Sequence, residues 1–238
     1  MRRVKALVFD VFGTLVDWHT SIAREAEFLL GGAAAGTGFD GAAFAVAWRA
    51  AYQPAMEEVR AGRLPFMKLD FLHRHNLDRV LAAFGLDQVD EDTRRALNLA
   101  WHRLDAWPDV APGLHRLRPH FRIAPCSNGN ISLMVDLARR NDFPWDAVLG
   151  AELARDYKPM PVVYLSAAGA FDLAPDETMM VASHSWDLAA AAAAGLRTAF
   201  VARPDEHGPG RGETSPSVPV DIAVAGITDL AEALLKSE

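Results

Sequence analysis

Val4-Lys5-Ala6-Leu7-Val8-Phe9-Asp10-Val11-Phe12-Gly13-Thr14-Leu15 is the stretch whose reading decides the fold. Residues 4–9 form a short run rich in Val and Leu, the pattern of a strand buried on both faces. The run stops at Asp10, so a carboxylate emerges from an apolar strand. Gly13 lets the backbone turn close to whatever Asp10 touches. Further strand-like runs occupy 121–125, 178–182, 198–202 and 222–225, and helical periodicity marks 133–140, 162–171, 188–195 and 230–236. That alternation predicts an α/β fold with a doubly wound, Rossmann-like parallel sheet.

Between the first two strands no strand-like run appears. Amphipathic helical patterns cover 22–30, 39–60, 67–84 and 93–104 instead. Ordinary connections in α/β units are only a few residues long, so a helical insertion is expected. The reading is an α/β core of residues 1–16 and 101–238 carrying a helical cap of residues 17–100. Residues 31–38 read as a flexible loop, and 203–219, rich in Gly, Pro and Ser, as a surface loop.

The 238 residues suffice for one α/β domain with such an insert, and at 50% apolar and 23% charged the composition is that of a globular chain. A net charge of −7 argues against nucleic-acid or anionic-membrane partners, which need a basic field. A small anionic substrate would need a local positive pocket. Cys126 is the only cysteine, which excludes an intrachain disulfide and fits a reducing, cytoplasmic compartment. The basic start Met1-Arg2-Arg3-Val4-Lys5 is not read as a secretory leader, because Asp10 and Gly13 cut the apolar run behind it. No apolar run approaches the roughly 20 residues of a membrane span.

Open α/β sheets bind ligands at the carboxyl ends of their strands, and four strand ends here carry polar groups. They are Asp10 with Thr14, Ser127-Asn128-Gly129, Lys158-Pro159 after 147–153, and Ser183-His184-Ser185-Trp186-Asp187. Each has a plain structural alternative. Asp10 could be a turn residue, Asp187 a helix cap, Ser127-Asn128-Gly129 an ordinary turn and Lys158 a solvated lysine.

Taken together, Asp10-x-x-Gly13-Thr14-Leu15, Ser127-Asn128-Gly129, Lys158-Pro159 and Asp187 resemble the four motifs of the haloacid dehalogenase-like superfamily, whose helical cap follows the first motif. Position 12 selects the branch. The superfamily's phosphatases carry a second aspartate there, to protonate a leaving alcohol and help hold magnesium; this chain has Phe12, so phosphoryl transfer would lack its general acid. The aromatic with Thr14 resembles the type II 2-haloacid dehalogenases. A halide leaves without a proton, and that branch needs no metal and no cofactor.

The resemblance implies hydrolysis of small 2-haloalkanoic acids, fluoroacetate included where the pocket stabilises fluoride, through an ester on Asp10 with inversion at C2. It implies Arg49, in Ala47-Trp48-Arg49, as the halide acceptor, with Asn128 sharing that site. Thr14, Ser127 and backbone N–H groups near Asn128 would hold the substrate carboxylate, and Phe12 and Trp186 would line the pocket. Lys158 would keep Asp10 ionised, Tyr164 matches an active-site tyrosine, and Asp187 would position water with Lys158, Ser183 or His184. A homodimer is implied as well. The alternatives are a magnesium-dependent small-molecule phosphatase and a catalytically idle carboxylate-binding protein. The chain departs from the family's Ser-x-Asn-x-x-Asp pattern, carrying Ala182 and His184 for the serine and asparagine. His184 can be read as a neutral hydrogen-bonding substitute, a group titrating near neutral pH, or a packed loop histidine.

Overall fold

The computed structural model describes residues 3–36 and 38–236; Met1 and Arg2 of the basic start and Thr37 of the 31–38 loop lie outside the described residues. The chain divides into two compact units, one made of Trp18–Leu104 and the other of the segments before and after it.

The larger unit is built on a six-stranded, wholly parallel sheet. Its strands are β1 (Ala6–Phe9), β4 (Arg122–Ser127), β5 (Leu149–Gly150), β6 (Thr178–Ala182), β7 (Arg197–Val201) and β8 (Ile222–Val224), in the spatial order β5-β4-β1-β6-β7-β8. Two further strands, β2 (Val16–Asp17) and β3 (Asp105–Ala106), pair antiparallel where the chain leaves this unit and returns to it. The strand order reverses at β1, which has β4 on one side and β6 on the other. A crevice opens at the carboxyl end of such a switch point, and Asp10 is the next residue after β1.

Buried, β-rich runs in the sequence become central strands because their backbone groups pair on both sides while both faces are covered. Val8, Ala124, Cys126, Met180, Ala182 and Phe200 share one cluster with Val163, Tyr164 and Ala167 of α9 (Pro161–Gly169) and with Leu188 and Ala191 of α10 (Ser185–Ala193). The two-residue alternation sends Leu7, Phe9, Ile123 and Val181 to the other face. Helices α6 (Val110–Leu117), α7 (Ile131–Asn141), α8 (Ala151–Ala154) and α11 (Ile227–Leu235) complete the unit.

The structure differs from the sequence reading at four places in this unit. The 147–153 segment is a two-residue strand followed by the single turn α8, because Gly150, at φ +120°, lies so close to Ser127 that a Cβ there would overlap its backbone. Helix α6 has no counterpart in the sequence reading, since Pro112 and Gly113 interrupt its Val110, Leu114, Leu117 spacing. Asp187 is not the cap of α10 but sits in its first turn. The 203–219 segment is not all surface, because Arg203 and Glu206 are buried.

The smaller unit is helical: α1 (Trp18–Leu30), α2 (Gly41–Ala50), α3 (Tyr52–Arg60), α4 (Leu69–Ala83), α5 (Glu91–Asn98) and a 3-10 turn at Leu99–Arg103. The single helix expected over 39–60 is two. Pro54 has no N–H for the carbonyl of Ala50 and its ring crowds that carbonyl, so the helix breaks at Ala51 and restarts with Pro54 in its first turn. Asp40 caps α2 by accepting from the N–H groups of Ala42 and Ala43. Trp48, Trp101, His73, Phe44 and Tyr52 form its aromatic core. Among the described residues, no helix is long and apolar enough to cross a membrane.

Candidate active site

Asp10 follows β1 with its N–H bonded to Val181 O at 2.9 Å and its carboxylate buried. Two sets of groups divide its oxygens between them. Oδ1 accepts from Lys158 Nζ at 2.8 Å. The same ammonium donates to Asp187 Oδ2, and Asp187 Oδ1 takes the Tyr164 hydroxyl at 2.6 Å. Oδ2 accepts from Thr14 Oγ1 at 2.7 Å and from His184 Nδ1 at 3.1 Å. The other ring nitrogen, Nε2, donates to both Glu206 oxygens at 3.0 Å. Because the one hydroxyl proton of Thr14 goes to Asp10, Ser183 Oγ, 3.0 Å away, must donate to Thr14, as does the Ser183 N–H at 2.9 Å.

These contacts set the charges. Burial alone would raise the Asp10 carboxyl, but the Lys158 charge and the His184 hydrogen bond outweigh it and hold the group well below the usual carboxylate range. Burial would likewise strip the proton from Lys158, and the charges of Asp10 and Asp187 keep it there, well above the usual lysine value. Burial lowers the His184 pKa, yet Glu206's charge and the bonds to Asp10 and Glu206 prevail, so that it is pushed up to about 10. Asp187 is raised by burial, with Lys158 pulling against it and Asp10 adding to it. Burial and the Asp187 charge also raise Tyr164, which stays a donor. Asp10 is thus an ionised, desolvated carboxylate at a strand end with cations on both sides, the state in which a carboxylate is able to act as a nucleophile.

Residues 4–195, four-fifths of the chain, match the family of haloacid dehalogenase-like hydrolases. The chain belongs to this family. It is 31% identical over 208 residues to (S)-2-haloacid dehalogenase 1 of Pseudomonas sp. (strain CBS-3), covering 85% of this chain and 86% of the relative. Among solved structures it is similar to a defluorinating L-2-haloacid dehalogenase, with 44% identity, a TM-score of 0.94 and coverage of 98% and 96%. A second L-2-haloacid dehalogenase structure has 41% identity and a TM-score of 0.92, over 98% and 99% of the two chains.

In this haloacid dehalogenase-like chain the remaining expected residues fall as follows. Asn128 Oδ1 accepts from the Lys158 N–H at 2.8 Å, which turns its amide nitrogen into the group left to donate. Ser127 Oγ accepts from the Gly129 N–H at 3.1 Å and keeps its own proton to give. Phe12 is buried against Gly129. Trp186 is half exposed, its ring 5.9 Å from that of His184. Arg49 belongs to the helical unit, where its guanidinium lies 4.0 Å from the Tyr52 ring centroid and 5.5 Å from that of Trp18. Its Nη1 is buried with no hydrogen-bond partner among the described residues.

Two assignments do not survive the geometry. Thr14 cannot hold a substrate carboxylate, since its proton goes to Asp10 and its oxygen already accepts twice from Ser183. Ser183 spends its one hydroxyl proton on Thr14 and has none to donate to a water. Nor is His184 a neutral substitute for the family's asparagine: both ring nitrogens face carboxylate oxygens, which only accept, so both carry hydrogen.

Three residues of the site's frame escaped sequence reasoning. Glu206 reaches His184 across Gly13, whose φ is +87° and where a Cβ would overlap the Glu206 carboxylate. Trp107 bonds Gly13 O through Nε1 at 2.8 Å and Leu15 O through its N–H at 3.0 Å. Arg203 Nε bonds Thr14 O at 2.8 Å while its two terminal nitrogens grip Asp109 at 2.8 and 2.9 Å. Three successive carbonyls of the loop after Asp10 are thus held from outside it. The one available signal was His184 itself, a histidine in place of an amide, whose second nitrogen needs a partner.

Proposed function

We propose that this chain hydrolyses small 2-haloalkanoic acids to 2-hydroxy acids through an ester on Asp10, with inversion at C2 and without a metal. The observation that carries this reading is the pairing of an ionised Asp10 with Phe12, which leaves no acid two residues on to protonate an alcohol or phosphate leaving group. The relatives' names add the substrate class.

Asp10 attacks C2 and the halide departs with the bonding electrons. Lys158 keeps Asp10 ionised through the ground state. Ser127 and the N–H groups near Asn128 receive the substrate carboxylate, while Phe12 and Trp186 bound the pocket. Arg49 accepts the departing halide, with the free Asn128 amide nitrogen as a second donor; support for Arg49 lies within its own unit, in a stacked guanidinium with one unused nitrogen. Water assisted by Asp187 and Lys158 then attacks Cγ of Asp10. Fluoroacetate belongs to the proposed substrates, on the likeness to a defluorinating enzyme. A cytoplasmic homodimer goes with the proposal on the family resemblance and the single cysteine.

The test is halide release from chloroacetate, fluoroacetate and both 2-chloropropionate enantiomers, with and without a chelator. Release of halide, from the S enantiomer and unaffected by chelation, is the expected result. Release from none of them, together with magnesium-dependent hydrolysis of p-nitrophenyl phosphate, would overturn the reading.

A further inference from the structure

His184 and Glu206 are a buried ion pair that the reaction as described does not use. The pair sits on one oxygen of the nucleophile. A carboxylate oxygen has two in-plane acceptor positions. On Oδ2 both are filled, by Thr14 Oγ1 at 2.7 Å and His184 Nδ1 at 3.1 Å. Oδ1 accepts from Lys158 alone among the described residues, which leaves it a lone pair for attack. The oxygen that forms the ester is therefore Oδ1, and the one that remains as its carbonyl is Oδ2.

We propose that His184, as an imidazolium braced by Glu206, is the cationic arm of an oxyanion site on Asp10 Oδ2 and works with Thr14 to hydrolyse the aspartyl ester. The inference rests on the dehalogenase reading above. In the first step an Oδ1 lone pair forms the Oδ1–C2 bond and the C2–halogen bond breaks, its electrons leaving on the halide. In the second, the oxygen of water bonds to Cγ, a proton of that water passes to Asp187, and the carbonyl π pair moves onto Oδ2. Collapse of this intermediate breaks Cγ–Oδ1. The departing oxygen takes the proton back from Asp187 and becomes the product hydroxyl, and the new carboxylic acid loses its proton to solvent.

The two donors lie at 2.7 and 3.1 Å from the atom on which charge develops, the range an oxyanion site requires. A general-base role for His184 fails on the same geometry, because a ring with both nitrogens committed to carboxylates has no lone pair to accept a proton. The groups facing the ring are Asp10 and Glu206, with Lys158 and Asp187 beyond Asp10, His207 Nε2 3.6 Å from Glu206 Oε1, and the Trp186 ring beside it. The raised His184 pKa is consistent with a fixed cation. Glu206 is the positioning residue, acting through the imidazolium.

Rapid-quench measurement of halide release and ester hydrolysis with (S)-2-chloropropionate separates the two steps. His184→Ala should give a burst of halide equal to the enzyme, an ester adduct visible by mass spectrometry on the peptide carrying Asp10, and hydrolysis slowed about 100-fold. In the unmodified enzyme the hydrolysis rate should be flat from neutral pH down to pH ~6 and fall on the alkaline side as the cation is lost, with a midpoint below the free-enzyme value of about 10 because the ester removes the Asp10 charge that helps hold the proton. Glu206→Gln should move that alkaline limb down by about one pH unit or more. An acid limb near neutral pH in the unmodified enzyme would establish a base instead and overturn the inference. So would equal slowing of both steps in His184→Ala. Should that variant fail to fold, the unmodified profile and Glu206→Gln decide the question. Absence of halide from the unmodified enzyme would overturn the dehalogenase reading itself, an outcome distinct from the others.

Discussion

The two sides of the Asp10 carboxylate are built on different principles. On the Oδ1 side one ammonium, Lys158, serves two buried carboxylates, Asp10 and Asp187, and Tyr164 supplies a neutral donor. On the Oδ2 side a hydroxyl relay, Ser183 to Thr14, lies beside a cation that brings its own anion, His184 with Glu206. The first side depends on a single charge. The second is internally balanced, so it adjusts the Asp10 carboxylate without being needed to neutralise it.

The largest expected effect removes what both sides share: Asp10→Asn should abolish halide release in a steady-state assay while the protein stays folded, since an amide cannot form the ester. Retained turnover would break the mechanism. Next comes the dependent side. Lys158→Met leaves Asp10 and Asp187 buried together without a counter-charge, and urea unfolding should show about 3–5 kcal/mol of lost stability. Tyr164→Phe removes one donor from a buried carboxylate and should cost about 1–3 kcal/mol by the same measurement, with Lys158 still in place. If it cost as much as Lys158→Met, the single-cation account of that side would be wrong.

The last test addresses the balanced side. His184 has a folded pKa of about 10 against an ordinary 6.5, so its contribution to stability is fully present below pH ~6.5, declines as pH rises and is gone above about 10. Thermal melts across pH 6.5 to 10 should therefore show Tm falling, and His184→Asn should flatten that slope. An unchanged slope would mean that the imidazole is neutral in the fold.

The legibility of the two sides differs in the same way. Asp10, Lys158 and Asp187 stand at strand ends or just beyond them, where local apolar runs stop, and short-range patterning is enough to locate them. Thr14 and Ser183 are also legible from their motifs, but their hydrogen-bonding roles are not, because the direction of a hydroxyl proton depends on which acceptors surround it. Glu206 lies in a Gly- and Pro-rich segment with no periodicity, and nothing local marks it as buried. Helix α6 was hidden by Pro112 and Gly113, and the break at Ala51 by apolar residues that continue helical spacing on both sides of it. Arg49 carries a family match in sequence and, within its own unit, a stacked guanidinium.

The sequence by itself determined the parallel sheet and the strand end that bears Asp10, since a strand buried on both faces must be continuously apolar and a carboxylate can appear only where it stops. It also determined, through Phe12, that no acid stands two residues after Asp10. Only the tertiary structure decided which oxygen of Asp10 each partner holds, and that His184 is a cation. Both depend on distances of about 3 Å between residues far apart in the chain, and hydrogen-bond direction and charge state are properties of the assembled neighbourhood, not of any residue within it.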